Sequence, residues 1–279
     1  MRRPRRPIVI LALIGALTAA PAVAYATTTI STSGSTASFP LIELLAAKYR
    51  QLEKGKVSFK LAQGGATVGI QDAAAGRVSI GESSRPPAST DPAGLYFFPF
   101  AEYFVCVVTN PANPISNLTA AQVEQIFEGK VRNWSQVSGA TASGPIDVYS
   151  RTSVAGVLTT FQSTLLAGGK VSSVATQEAT EGLMQESVKK DPSAIGFLSD
   201  YFALAKGINP VAYNGTGCTV ANVVSGAYPG TSDFYAVTKG KPSGQVEDFI
   251  YWSQTSKAAK KIIESNWIPL PKLEPAIPG

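Results

Sequence analysis

From Thr27 onward, short runs rich in β-branched and aromatic residues take turns with amphipathic stretches of helical length. This alternation restricts the chain to α/β architectures in which open sheets are covered by helices. The runs predict strands at 28–32, 56–61, 78–82, 103–109, 146–149, 194–198, 209–213 and 234–238. Helices are predicted at 38–51, 66–75, 119–128, 154–166, 178–189, 219–225 and 243–265, the last broken near Ser253. Ser38, Thr119 and Ser243 stand at N-cap positions. The Pro- and Asn-rich TNPANPISN (109–117) and the segment KGINPVAYNGTG (206–217) are expected to carry the chain between two compact units. The tail PLPKLEPAIPG (269–279) holds too much proline for a packed element and is expected to be extended or loose.

With 279 residues, 44% hydrophobic and 15% charged, the chain can bury one large core or two modest ones. Residues 1–26 stand apart. They combine an Arg-rich start, an apolar run from Ile8 to Leu17 and an Ala24-x-Ala26 ending, which predicts a secretory signal cleaved near Ala26. The apolar run is short for a membrane anchor and ends in Pro21 and small residues. No cysteine lies near the cleavage point to carry a lipid, so the expected location is periplasmic or secreted. The formal charge of +5 owes four positive charges to this leader, and without it the charge is +1. No basic face interleaved with aromatics is left, and nucleic-acid binding is set aside. Cys106 and Cys218 could form a disulfide in an oxidising compartment or could be two buried small residues; the sequence leaves both open.

The chain has no histidine, which removes Ser-His and Cys-His nucleophile pairs and the usual transition-metal ligands. Two distant cysteines do not make a zinc site. No G-x-x-x-x-G-K-[ST], G-x-G-x-x-G or G-x-S-x-G is present, and the S-x-x-K at Ser187–Lys190 falls on a polar helix face. The sequons at Asn117, Asn133 and Asn214 matter only in a source that glycosylates them. The sequence therefore predicts no enzyme, no cofactor and no metal.

What it does offer is a set of loops suited to an anion. STSGSTASFPLIELL (31–45) gathers small hydroxyl residues and a glycine before a helix whose Pro40 sits in the first turn, where backbone N–H groups point out of the helix end. AQGGATVGIQ (62–71) and YSRTSVAGVLTTF (149–161) also follow a strand and open a helix, the latter with Arg151 at the turn. IGESSR (80–85) adds two hydroxyls and Arg85 at a strand end. Helix N-termini at the carboxyl edges of strands can converge on one point and cradle a small oxyanion.

These loops resemble those of the extracytoplasmic phosphate-binding proteins of ABC importers. GSTASFP (34–40) is similar to that family's G-x-x-x-T-F-P, GGATVGIQ to its Gly/Ser-rich second loop, and SIGESSR (79–85) to its D-I-G-x-S-S-R. NPANPISNLTAAQVEQIFEGKVRNW (110–134) follows its N-P-x-N-P…L-x-x-I-F-x-G-x-[IV]-x-N-W segment. EGLMQESVKKDPSAIGFLS and GAYPGTSDFYAVTKGKPSG match later patterns, so the resemblance spans the chain beyond the leader. It implies a two-lobed periplasmic-binding-protein fold of type II, each lobe an open mixed α/β sheet flanked by helices, with the ligand cleft between lobes. Lobe 1 would comprise 27–109 and 207–279, and lobe 2 would comprise 110–206. The implied protein is a monomer that closes over inorganic phosphate or a related oxyanion and delivers it to a membrane permease.

Carried across by position, the resemblance implies a hydroxyl from Ser38, a backbone N–H from Phe39, and contacts from Ala66 or Thr67, with Thr67 supplying the nearest hydroxyl. Ser84 falls where many members have the aspartate that takes the proton of hydrogen phosphate, followed by Arg85, and Arg151 matches the family's arginine fork. The family's R-x-x-G-S-G-T reads RTSVAGV here, so Ala155 and Val157 flank Gly156 where two hydroxyls are expected. That leaves backbone N–H groups and Ser153. Hydrogen bonds to a charged partner contribute roughly 1.5–3 kcal/mol each, so two losses weaken binding by about a hundredfold or more unless other groups compensate. Glu82, two residues before Ser84 in a strand, is a candidate substitute acceptor; the alternative is a solvated loop carboxylate. A second functional expectation is a secreted sensory or adhesive module that keeps the fold with weakened or altered anion binding. A third, a hydrolase of phosphate esters, lacks any histidine or metal cluster.

Overall fold

The computed structural model describes residues 27–279, so the expected export signal at 1–26 lies outside the described residues. Its strands are β1 (Thr28–Gly34), β2 (Val57–Gln63), β3 (Ile80–Ser83), β4 (Leu95–Thr109), β5 (Asn117–Leu118), β6 (Asp147–Arg151), β7 (Thr176–Glu178), β8 (Ala194–Ser199), β9 (Asn209–Tyr213), β10 (Thr231–Lys239) and β11 (Ile277–Pro278). Its helices are α1 (Phe39–Leu52), α2 (Ala66–Ala74), α3 (Ala120–Phe127), α4 (Gly156–Thr164), α5 (Glu181–Lys190), α6 (Asp200–Ala203), α7 (Val220–Val224), α8 (Gly244–Thr255) and α9 (Lys257–Ile263). The expected α/β class is what forms, a mixed sheet flanked by helices in the order β2-β1-β3-β10-β4-β8-β6-β7.

The long strand β4 organises the molecule. Leu95–Phe104 pairs antiparallel with β10, whereas Val105–Thr109 pairs antiparallel with β8, so one strand passes from the first half of the sheet into the second. The sequence places the start of this strand at 103 and misses its first half, because Pro99 lacks a ladder donor. A register shift between Phe234 and Tyr235 of β10, which face Ala101 and Pro99, accommodates the proline.

The chain departs from expectation at three other places. The helix expected over 243–265 breaks at Ser256 and not at Ser253. Ser256 is extended and its hydroxyl accepts from the Ala259 amide at 3.0 Å, while Ser253 stays helical and bonds the Ile250 carbonyl. The segment expected to cross between units near 206–217 contains β9, which pairs with β4 at Val107↔Val211 and with β5 at Asn117↔Ala212, both beside the second half of the sheet. The tail expected to be loose ends in β11, which pairs with β4 at Ile277↔Phe97, and Gly279 donates to the Leu95 carbonyl at 3.0 Å.

A continuous apolar core runs through both halves and includes Leu41, Leu45, Tyr103, Phe104, Phe161 and Phe197. Stacked rings join its layers: Tyr103 lies on Phe234 at 4.3 Å, and Phe161 on Phe197 at 4.1 Å. Cys106 in β4 and Cys218 before α7 form a disulfide, which decides between the two options the sequence leaves open. It closes a loop with a sequence separation of 112. In the chain-entropy account, a loop of that size stabilises the fold by roughly 4–5 kcal/mol.

Candidate functional site

The turn between β1 and α1 exists because residue 34 is a glycine. Its φ is +138°, and a Cβ there would lie 2.2 Å from the Glu82 carbonyl oxygen, so a side chain is excluded on both counts. The close approach brings the hydroxyl-rich turn against β3, where the Ser35 amide donates to the Glu82 carbonyl at 3.0 Å. Each hydroxyl then has its own task. Ser35 Oγ accepts from the amides of Ala37 and Ser38, both at 3.3 Å. Thr36 Oγ1 accepts from Arg151 Nη2 at 3.0 Å and from the Glu181 amide at 3.3 Å. Ser38 Oγ donates to Glu82 Oε2 at 3.0 Å.

Ser38 thus departs from the simple N-cap expected of it, since its side chain makes no capping bond and reaches the Glu82 carboxylate. Glu82 is fully buried, which excludes the solvated-loop alternative, and its Oε1 has no hydrogen-bond partner. Burial pushes its pKa up to about 7, against the pull of the Thr32 and Ser38 hydroxyls. Of these two, the Ser38 contact is a hydrogen bond by geometry; the Thr32 hydroxyl is near but bonds nothing.

Arg151, at the end of β6, is 1% exposed and heavily engaged. Nη1 pairs with Glu181 Oε1, Nε donates to the Glu178 carbonyl at 3.0 Å, and Nη2 donates to Thr36 Oγ1 and to the Ala179 carbonyl, both at 3.0 Å. A guanidinium has five N–H donors, so these bonds leave one hydrogen on Nη1. Glu181 is held from its other side by the Ser199 amide at 2.8 Å and hydroxyl at 2.9 Å.

The remaining turns meet beside this pair. A Cβ on Gly156, the first residue of α4, would fall 2.5 Å from Ser84 Oγ and 3.0 Å from the Ala66 Cβ. The Thr67 amide donates to the Val154 carbonyl at 3.0 Å, tying the start of α2 to the turn before α4. The Ser84 carbonyl accepts from Tyr103 Oη at 2.6 Å and Thr160 Oγ1 at 3.3 Å, which fixes Ser84 between the two halves of the sheet. α1, α2 and α4 begin without a side-chain cap, as do α6 and α8, where Ser199 and the expected cap Ser243 make no capping bond, whereas α3, α5, α7 and α9 are capped by Thr119, Thr180, Thr219 and Ser256. Uncapped N-terminal N–H groups carry partial positive charge and favour an anion.

The structure therefore brings together Ser38, Phe39, Glu82, Ala66, Ser84, Arg151, Ala155, Gly156 and Val157 from separate loops. Two expected residues look elsewhere. Arg85 forks onto Asp91, with Nη2–Oδ1 at 2.6 Å and Nη1–Oδ2 at 2.8 Å, and Thr67 lines a side cavity next to that pair. Ser153 is exposed, while Ala155 and Val157 are buried and carry no polar side chain, and the Ala155 amide already donates to the Thr152 carbonyl at 3.0 Å. Sequence reasoning passes over Thr36, Glu181, Tyr103 and Thr160. Thr36 is one hydroxyl in a crowd, and Tyr103 and Thr160 sit in apolar or amphipathic runs. Glu181 reads as an ordinary first-turn acid.

No group of three or more His, Cys, Asp or Glu side chains among the described residues could hold a metal ion, and no described helix is long and apolar enough to cross a membrane.

The sequence model described as a PBP superfamily domain matches residues 19–257. The phosphate-binding protein PstS of Bacillus subtilis strain 168 is 23% identical over 245 residues, covering 86% of this chain and 80% of that protein. Among solved structures, a Clostridium perfringens phosphate ABC transporter substrate-binding protein with bound phosphate superposes with a TM-score of 0.81 at 27% identity, over 87% of this chain and 100% of that one. An ABC-type phosphate transport receptor from Vibrio cholerae superposes with a TM-score of 0.71 at 26% identity, over 87% of this chain and 100% of that one.

Proposed function

This chain belongs to the PBP superfamily, and from that premise we propose that it captures inorganic phosphate between two lobes and delivers it to the membrane permease of an ABC importer. The observation that carries the reading is the meeting of three uncapped helix N-termini with the Arg151–Glu181 pair, in the seam where β1, β3 and β6 end. The amides at the starts of α1, α2 and α4 supply the donors, Ser84 supplies a hydroxyl while Ser38 holds Glu82, and Arg151 offers its remaining Nη1 hydrogen. Ser84 Oγ makes no hydrogen bond within the protein, which leaves it for the ligand. Glu82, with a carboxyl poised between its two protonation states near neutral pH, replaces the aspartate absent at Ser84 as the partner of the ligand's proton.

Strand pairing supports a division into 27–104 with 231–279 as lobe 1 and 105–228 as lobe 2, with the hinge in the middle of β4 and just before β10. In this reading β9 belongs to lobe 2, and closure is a hinge motion about two strands. The protein works outside the cytoplasm as a monomer after the leader is removed near Ala26. No bond in the ligand is made or broken; selectivity rests on placed donors and on Glu82.

Ion chromatography of the anion released from purified, acid-denatured protein tests the reading. About one phosphate per chain is expected after purification in phosphate-free buffer and equilibration with micromolar phosphate. Sulfate in its place, or no anion at all, would refute it.

A further inference from the structure

Away from that seam, a cavity of about 560 Å³ opens between α6 and the segment that follows α9, with Asp200, Tyr201, Phe202, Glu264 and Trp267 among its lining residues. Its walls come from both halves of the molecule: Asp200–Ala203 follows β8, whereas the segment after α9 is fastened to β4 by the Glu102↔Ile268 bridge. The volume suits a small organic ligand.

Two lining residues are incompletely satisfied. Asp200 is 1% exposed, and both of its carboxylate oxygens are buried without a hydrogen-bond partner. The neighbouring Tyr201 and Asp200 amides favour its charged form but do not meet hydrogen-bond geometry. Trp267, 3% exposed, has an unpartnered indole Nε1. A buried carboxyl left this way is costly and is met in native proteins by an ordered water or a bound cation, whereas the indole N–H, a donor, takes an acceptor and does not itself favour a cation. Burial and the nearby Glu181 disfavour the charged form of Asp200, a cost that a cation beside it removes.

The rest of the lining fits the same partner. Tyr201 stacks on Trp267 with ring centroids 5.1 Å apart and planes 6° apart, and Phe202 meets Tyr201 edge-on. Tyr201 is 39% exposed, so its ring is open to a ligand. Glu264 adds a second carboxylate, and no Lys or Arg lines the cavity. Glu264 pairs loosely with Lys260 at 3.9 Å, whereas Asp200 has no counter-charge, and an aromatic face beside such a carboxyl is the chemistry that recognises an organic ammonium ion.

We propose that this cavity between the two halves is a second ligand site that takes an organic ammonium group, held by Asp200 and by the Tyr201–Trp267 ring pair. It is separate from the anion site and requires none of its residues.

Titration of the whole protein with choline, followed by tryptophan fluorescence and calorimetry, tests the site. Saturable one-to-one binding is expected, weakened about tenfold or more by Asp200→Asn and by Tyr201→Ala, and about tenfold weaker for the uncharged isostere 3,3-dimethylbutan-1-ol. Tyr201→Ala removes a partly exposed ring and decides the matter if Asp200→Asn does not fold. No saturable signal, or equal affinity for choline and its uncharged isostere, would overturn the proposal.

Discussion

Arg151 Nη2 donates to Thr36 Oγ1 at 3.0 Å across 115 residues of chain, joining the end of β6 to the turn that opens α1. The two halves of the sheet are thereby in contact through a group that also pairs with Glu181, so in the proposed function one side chain would serve both closure and ligand capture.

Replacing Arg151 by Ala is expected to weaken phosphate binding by about a hundredfold or more. It also leaves Glu181 buried without its counter-charge, which costs about 3–5 kcal/mol of stability. The double variant Arg151→Ala/Glu181→Gln should regain most of that stability and none of the affinity. Chemical denaturation together with calorimetric titration separates the two effects.

Glu82 predicts a pH dependence of a definite sign. Its folded pKa, about 7, lies above the ordinary carboxylate value of 4.5, so the folded state holds the proton more tightly than the unfolded chain. The associated stability is fully present below about pH 4.5 and is lost as pH rises through about 7, a change on the order of 3 kcal/mol. Asp200, raised by burial, acts in the same direction. Denaturation curves between pH 4.5 and 8 should show wild type losing stability relative to Glu82→Gln, and parallel curves would contradict the assignment.

Ala155 and Val157 mark where donors are missing. The near-isosteric pair Ala155→Ser and Val157→Thr should each tighten phosphate binding by about tenfold, as a hydroxyl is added beside the start of α4. Unchanged dissociation constants would place the ligand away from that turn.

Gly156 packs against Ser84 so closely that Gly156→Ala drives a methyl to 2.5 Å from Ser84 Oγ. Phosphate binding should fall by at least about tenfold, with a smaller effect on thermal stability, because Ser84 must leave its place between the two halves of the sheet. Titration beside a melting curve checks both.

Much of the architecture was legible because local signals and tertiary structure agreed. The β1–α1 and β6–α4 units follow the expected strand and helix spans within a few residues, and Thr119 caps α3 with the reciprocal Gln122 bonds that its sequence suggests. What escaped depended on partners far along the chain. The first half of β4 carries a proline that only a shifted register with β10 tolerates, and although the strand at 209–213 is legible as β9, its pairing with both β4 and β5, which sets it beside the second half of the sheet and not at a crossing, is not. The candidate site was legible as loops and not as bonds. Ser38, Ser84 and Arg151 follow from the resemblance of their loops to a known family, yet nothing local to Arg85 distinguishes a ligand arginine from one clamped by Asp91, and nothing local to Thr36 or Glu181 reveals that both meet Arg151.

The central claim is that one anion sits where the starts of α1, α2 and α4 meet Arg151. A crystal structure determined with phosphate tests it most directly. Density for one phosphate is expected within hydrogen-bond distance of the Phe39 and Gly156 amides, Ser84 Oγ and Arg151 Nη1, with Glu82 facing its protonated oxygen. Phosphate bound elsewhere, with this seam closed and empty, would contradict it.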